Sequence, residues 1–185
     1  MSTPYAWSAV FPERAGSPKV RRRRRPAPTR CARRPPRRTS AGWRSGWGVG
    51  LPPSYRQFLL FADGWSDAGD EYCLRSTQTV GWFRDLEPWF VDSCLPEGHT
   101  PRSVPDELYF VYGDKQDCVH IREEYLPDLL LVGHWDDGWA PLNPRVTTAG
   151  GEWEAWFHAP WLPGANRYRS FWDLMEDENR RLASR

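Results

Sequence analysis

Apolar positions recur along residues 51–65 with the spacing of one helical face: Tyr55, Phe58, Leu59 and Ala62 fall at i, i+3, i+4 and i+7. Pro52 and Pro53 suit a first turn, whose N–H groups have no intrahelical partner, and Asp63-Gly64 supplies a left-handed stop. The spacing predicts a short helix with both ends marked, burying Tyr55, Phe58 and Leu59. A second helix is expected over 170–182, where Ser170 caps and Phe171, Leu174, Met175 and Glu178 follow the helical period. Between them, 72–84 reads as an extended segment followed by a turn, and 86–94 as a helical turn or small helix. Strands are predicted at 107–112, 118–122, 129–135 and 152–157, with the polar stretch 113–117 as a hairpin loop. A helix, a mostly antiparallel sheet and a closing helix make an α+β domain over residues 51–185.

Residues 1–50 follow no such period. They hold seven prolines, twelve arginines and few aliphatic side chains. Nothing in them offsets the entropy of ordering, so they read as a disordered tail. Charge divides the chain at the same place. The formal net charge of +1 joins a part with 13 basic and one acidic side chain, residues 1–50, to a part with 12 basic and 23 acidic ones, residues 51–185. The domain would repel phosphate, so nucleic acid or anionic lipid is left to the tail, through the arginines at 21–25, 33–34 and 37–38. Arginine outnumbers lysine 23 to 2, as GC-rich coding DNA produces. In such DNA an Arg/Pro/Ala/Gly tract also arises where a start is placed too early or a frame is shifted.

No apolar run approaches the ~20 residues of a membrane span. The N-terminus lacks the apolar centre of a secretory signal, so a cytoplasmic chain is expected. Cys31, Cys73, Cys94 and Cys118 form no C-x-x-C pair and read as free thiols. His99, His120, His134 and His158 match no zinc spacing, so no metal or cofactor is expected. On the strand at 152–157, alternation points Glu152, Glu154 and Trp156 to one face and Trp153, Ala155 and Phe157 to the other. Paired carboxylates are the machinery of glycoside hydrolysis. Two on neighbouring same-face positions read instead as solvated surface, and no catalytic residue is assigned.

The order of several blocks carries a resemblance. Leu51-Pro52, Ser54-Tyr55 and Phe58-Leu59, with Asp63-Gly64-Trp65 behind them, resemble the signature helix of the SUKH superfamily. The likeness continues through Val80-Gly-Trp-Phe-Arg-Asp85, Tyr109-Phe-Val-Tyr-Gly-Asp114, Leu142-Asn143-Pro144, Gly151-Glu-Trp153-Glu-Ala-Trp156 and Arg167-Tyr-x-Ser-Phe171. Two features depart from the family. Asp63 stands where an Asn is usual, and 39–50, with four glycines, shows no helical stripe where the family begins with a helix. The resemblance implies a SUKH-like fold and a non-enzymatic protein-binding module. In bacteria such proteins are thought to bind and neutralise toxins of polymorphic secretion systems, and fungal relatives are scaffolds in cell-wall signalling. An acidic domain holding nine of the 12 tryptophans suits a basic protein partner such as a nuclease, charge steering the encounter and aromatics anchoring it. The candidate anchors are Trp65, Trp82, Trp89 and Trp161, flanked by Asp63, Asp85, Glu87 and Glu154.

Overall fold

Two prolines and a glycine bound the first helix. α1, Pro53–Phe61, takes Pro52 as its N-cap. Ala62 then turns extended and Gly64 adopts φ +90°, a left-handed conformation that reverses the chain. The computed structural model describes residues 50–66, 72–101, 104–135 and 137–183. The tail read over 1–50, Gly50 apart, lies outside the described residues, as does Cys31.

After α1 come β1 (Trp65–Ser66), β2 (Tyr72–Leu74) and β3 (Gly81–Trp82). The short helices α2 (Phe83–Leu86), α3 (Pro88–Cys94) and α4 (Asp106–Tyr109) follow, then 3-10 turns at Gly113–Lys115 and Glu123–Asp128. The chain continues through β4 (Leu130–Trp135), β5 (Gly138–Thr147), β6 (Trp153–His158) and β7 (Ala165–Tyr168) to the closing helix α5 (Phe171–Ala183). Ser170 caps α5 as expected, its Oγ accepting from the Asp173 N–H at 3.1 Å. The strands form one sheet in the order β1-β2-β4-β5-β6-β7, with β3 alongside β4. Every pairing is antiparallel. The fold is α+β.

Among the strands of four residues or more, two were not expected. β5 contains Pro141 and Pro144, residues that ordinarily argue against a central strand. The ladder gives way beside both. The β4–β5 register shifts between Leu131 and Gly133, opposite Pro141, and the β5–β6 register shifts between Asn143 and Thr147, around Pro144. β7 has four residues, too few for alternation to stand out. Conversely, 107–112 is not a strand: α4 takes its first half. Residues 118–122 are a loop that covers the outer edge of β7, the Ala165 N–H donating to the Cys118 carbonyl at 2.9 Å. The loop lies so close that a Cβ at Gly164 would overlap the Cys118 carbonyl oxygen.

Each face of the sheet buries its own core. On one, α1 and α5 bring Tyr55, Leu59, Phe171 and Leu174 onto Leu130, Val132, Leu142, Trp153, Ala155 and Phe157. On the other, α2, α3, α4 and the 3-10 turn at Glu123–Asp128 bring Phe83, Phe90, Tyr109 and Leu126 onto Leu131, Trp156 and Ala165. The alternation read along β6 is therefore real, with Trp153, Ala155 and Phe157 on the first face and Trp156 on the second. Pro52, Tyr55 and Leu59 are buried, whereas Leu51 and Phe58 are half-buried at the edge of the first core.

Candidate functional site

Glu154 sits in β6, in register with Asn143 of β5, and is 1% exposed. Its Oε2 accepts from Tyr109 Oη at 2.6 Å, Trp156 Nε1 at 2.7 Å and Asn143 Nδ2 at 2.9 Å. Its Oε1 accepts from Tyr112 Oη at 2.9 Å and lies 3.7 Å from the Arg167 guanidinium. Arg167, fully buried in β7, donates to the Tyr109 and Val111 carbonyls and lies over the Tyr109 ring, 4.5 Å from its centroid. Burial, then the neighbouring carboxylate, raises the pKa of Tyr109 and Tyr112 above the usual phenol value, which keeps both hydroxyls as donors. A buried carboxylate needs such a set of partners.

The pair read on the strand at 152–157 is thus not a solvated surface. Glu154 is an enclosed anchor that ties α4 and the segment after it to the sheet. Glu152 reaches the first face, where it accepts from the Ser54 N–H and Oγ at 2.9 and 2.6 Å and pins the first turn of α1. Both carboxylates are committed to structure, and Glu154 drops out of the partner-binding set. Asp63 drops out with it, being half-buried and accepting from Thr77 N and Oγ1 at 2.6 and 3.0 Å to close the turn after α1.

Of the four candidate anchors, Trp65 (43% exposed), Trp89 (57%) and Trp161 (62%) reach solvent. Trp82 is instead half-buried against the first core, beneath the Arg84 guanidinium. The exposed three do not make one patch. Trp161 packs on Phe157 of the first face, Trp65 lies on the edge strand β1, and Trp89 belongs to the second face. Trp172 at the start of α5, 59% exposed, was not among the candidates.

Trp89 has the most built surroundings. Its ring meets Phe90 and the half-buried Trp139 at 5.6 and 6.3 Å between centroids, and its Nε1 donates to Glu87 Oε2 at 3.0 Å. Behind them Trp139 stacks on His158, whose pKa burial lowers to about 4, so it stays neutral. Asp85 in α2, Glu87 between α2 and α3, and Asp92 in α3 lie within four residues of Trp89 along the chain, and none forms an ion pair among the described residues. The one cation of this stretch, Arg84, is engaged by Asp128 at 2.7 Å. Across residues 83–128 there are 11 acidic and 4 basic side chains. The first face differs in balance: α5 sets Arg180 and Arg181 beside Asp177. A groove of about 490 Å³ between β7, α5 and the turn at 113–116 likewise mixes Arg169 and Arg180 with Asp173 and Asp177.

Cys73, Cys94 and Cys118 are half-buried, and burial followed by Glu123 pushes the Cys94 thiol up to about 12. Among the described residues no helix is long and apolar enough to cross a membrane. No protein-family model, curated protein or solved structure matches this chain.

Proposed function

We propose that this chain is a protein-binding module of the immunity type that the SUKH resemblance implies, binding a basic toxin domain such as a nuclease and neutralising it. The observation that carries the reading is the Trp89 site: an exposed tryptophan backed by Trp139 and hydrogen-bonded to Glu87, with Asp85 and Asp92 within four residues of it along the chain and none of the three carboxylates ion-paired among the described residues. Tryptophans at a partly desolvated centre are the residues on which interface affinity concentrates. Uncompensated carboxylates around them attract a cationic partner and speed its encounter. An aromatic face also accepts Arg or Lys by cation–π attraction. The enclosure of Glu154 fits a binding role for this face, because the carboxylate holds the layer in place and has no access to a substrate.

The test is co-expression of this chain with the toxin domain encoded beside its gene. Growth is rescued if the reading is right, and rescue fails when Trp89 is replaced by alanine in a chain that stays folded. Continued growth arrest in the presence of soluble wild-type chain overturns the reading.

A further inference from the structure

At about 490 Å³, the groove between β7, α5 and the turn at 113–116 has the size of a small-molecule site, ~300–1,000 Å³. Its charged side chains fall into two sets. Asp177 is spent, accepting from Tyr168 Oη at 2.7 Å and pairing with Arg180 and Arg181 at 3.3 and 3.0 Å. Arg169, Asp114 and Asp173 also line the groove, and among the described residues none of these three side chains forms an ion pair or a hydrogen bond. Arg169 is nevertheless held in place, its guanidinium lying 5.3 Å from the centroid of the Tyr112 ring, which the Tyr112 hydroxyl fixes to Glu154. Stacking on an aromatic face orients the planar fork that recognises a carboxylate.

Two further donors at the groove are unspent. Arg167 is fully buried, lies against the same Tyr112 ring at 5.5 Å, and keeps its Nε–H without a partner among the described residues. Gln116 Oε1 accepts from the Arg167 backbone N–H at 2.7 Å, in the place a neighbouring strand would take on β7. That bond fixes the side-chain amide and leaves Gln116 Nε2 without a partner among the described residues. We propose that the groove binds a short peptide with both ends charged. Its carboxylate lies on Arg169, a peptide carbonyl accepts from Gln116 Nε2, and its ammonium sits between Asp114 and Asp173 on opposite walls. Asp114 and Asp173 disfavour a simple anion, and the four arginines of the lining disfavour a simple cation. The proposal concerns a surface apart from Trp89 and does not need the partner reading.

The test is a titration of the isotope-labelled full chain, followed by nuclear magnetic resonance, with glycylglycine as the probe. N-acetylglycylglycine, which lacks the ammonium, and glycylglycinamide, which lacks the carboxylate, are titrated beside it. Glycylglycine should shift the Gln116 side-chain amide and the Arg169 Nε–H saturably, with a dissociation constant on the order of millimolar for so few atoms. Each blocked peptide should bind about tenfold more weakly, the loss of one charge-assisted contact. Arg169→Gln removes the fork, and Gln116→Glu keeps the acceptor for the Arg167 N–H while removing both donors. Each should weaken glycylglycine about tenfold with an unchanged thermal midpoint. The absence of a saturable shift overturns the proposal, as do blocked peptides that bind as tightly as glycylglycine or a folded Arg169→Gln chain that binds like the wild type. Trp89→Ala should leave the titration unchanged, so this proposal and the partner reading fail separately.

Discussion

The two faces of the sheet bury cores of similar make-up under very different cover. On the first face lie α1 and the thirteen-residue α5, helices with clear apolar stripes, their ends marked by Pro52, Gly64 and Ser170. On the second face no helix among the described residues exceeds seven residues, and helices so short do not hold by propensity alone. That layer is held from beneath, by aromatic packing of Phe83, Phe90 and Tyr109 and by the hydrogen bonds converging on Glu154. Regular helices stabilise one face, while a buried polar anchor frees the other to present carboxylates and Trp89.

The largest test of this contrast removes the anchor. Glu154→Ala leaves Arg167 buried without its counter-charge and should cost about 3–5 kcal/mol. A domain has only ~5–15 kcal/mol in all. Urea denaturation reads the loss. A cost no greater than that of removing an exposed acid would show that the second face does not depend on Glu154.

Acid comes next. Because the His158 pKa is lowered to about 4 in the folded state, only the unfolded chain takes up a proton as pH falls from 6.5. Stability attributable to this group is complete above pH 6.5 and declines down to about pH 4, by roughly 3 kcal/mol. The measurement is the difference between wild type and His158→Gln across that window, which isolates this group. Identical pH profiles would show that His158 protonates in place.

Smaller effects are expected on the first face. Phe58 is half-buried, so Phe58→Ala should cost about 2 kcal/mol, below the ~3–5 of a fully enclosed aromatic. Tyr55 is fully buried, yet its hydroxyl has no hydrogen-bond partner among the described residues, so Tyr55→Phe should be neutral or slightly stabilising. A thermal midpoint lowered by several degrees in Tyr55→Phe would show that the hydroxyl is satisfied.

The same division governed what could be read from the sequence. α1 and α5 follow the helical period, and β4 and β6 are six-residue runs rich in aliphatic and aromatic residues, so all four were legible. β5 was hidden because its prolines are tolerated only through register shifts that depend on its neighbours. The stretch 107–112 is a run of aliphatic and aromatic residues of the kind found in strands, yet Tyr109 and Tyr112 turn to Glu154, an attraction invisible until β6 is in place. A local signal did exist there: Pro105 followed by Asp106 and Glu107 is a helix start. Within the candidate site, all four tryptophans were candidates for exposure; Trp65, Trp89 and Trp161 are exposed, and Trp82 is half-buried because the core claims it. Glu154 was misread because strand alternation tells which face a carboxylate takes and not what lies on that face. Tyr109, Tyr112 and Arg167 stood in the resembling blocks without a role, which long-range packing alone supplies.

The division of labour between the faces is tested most directly by titration calorimetry against the toxin domain encoded beside this chain's gene, at 0.15 M salt. Trp89 and Trp161 are similarly exposed but lie on opposite faces. Trp89→Ala should keep its thermal midpoint within a few degrees and bind about 30-fold more weakly, the ~2 kcal/mol of an interface anchor. Trp161→Ala should bind as the wild type does. Full affinity in Trp89→Ala together with its loss in Trp161→Ala would contradict the assignment of binding to the acidic face.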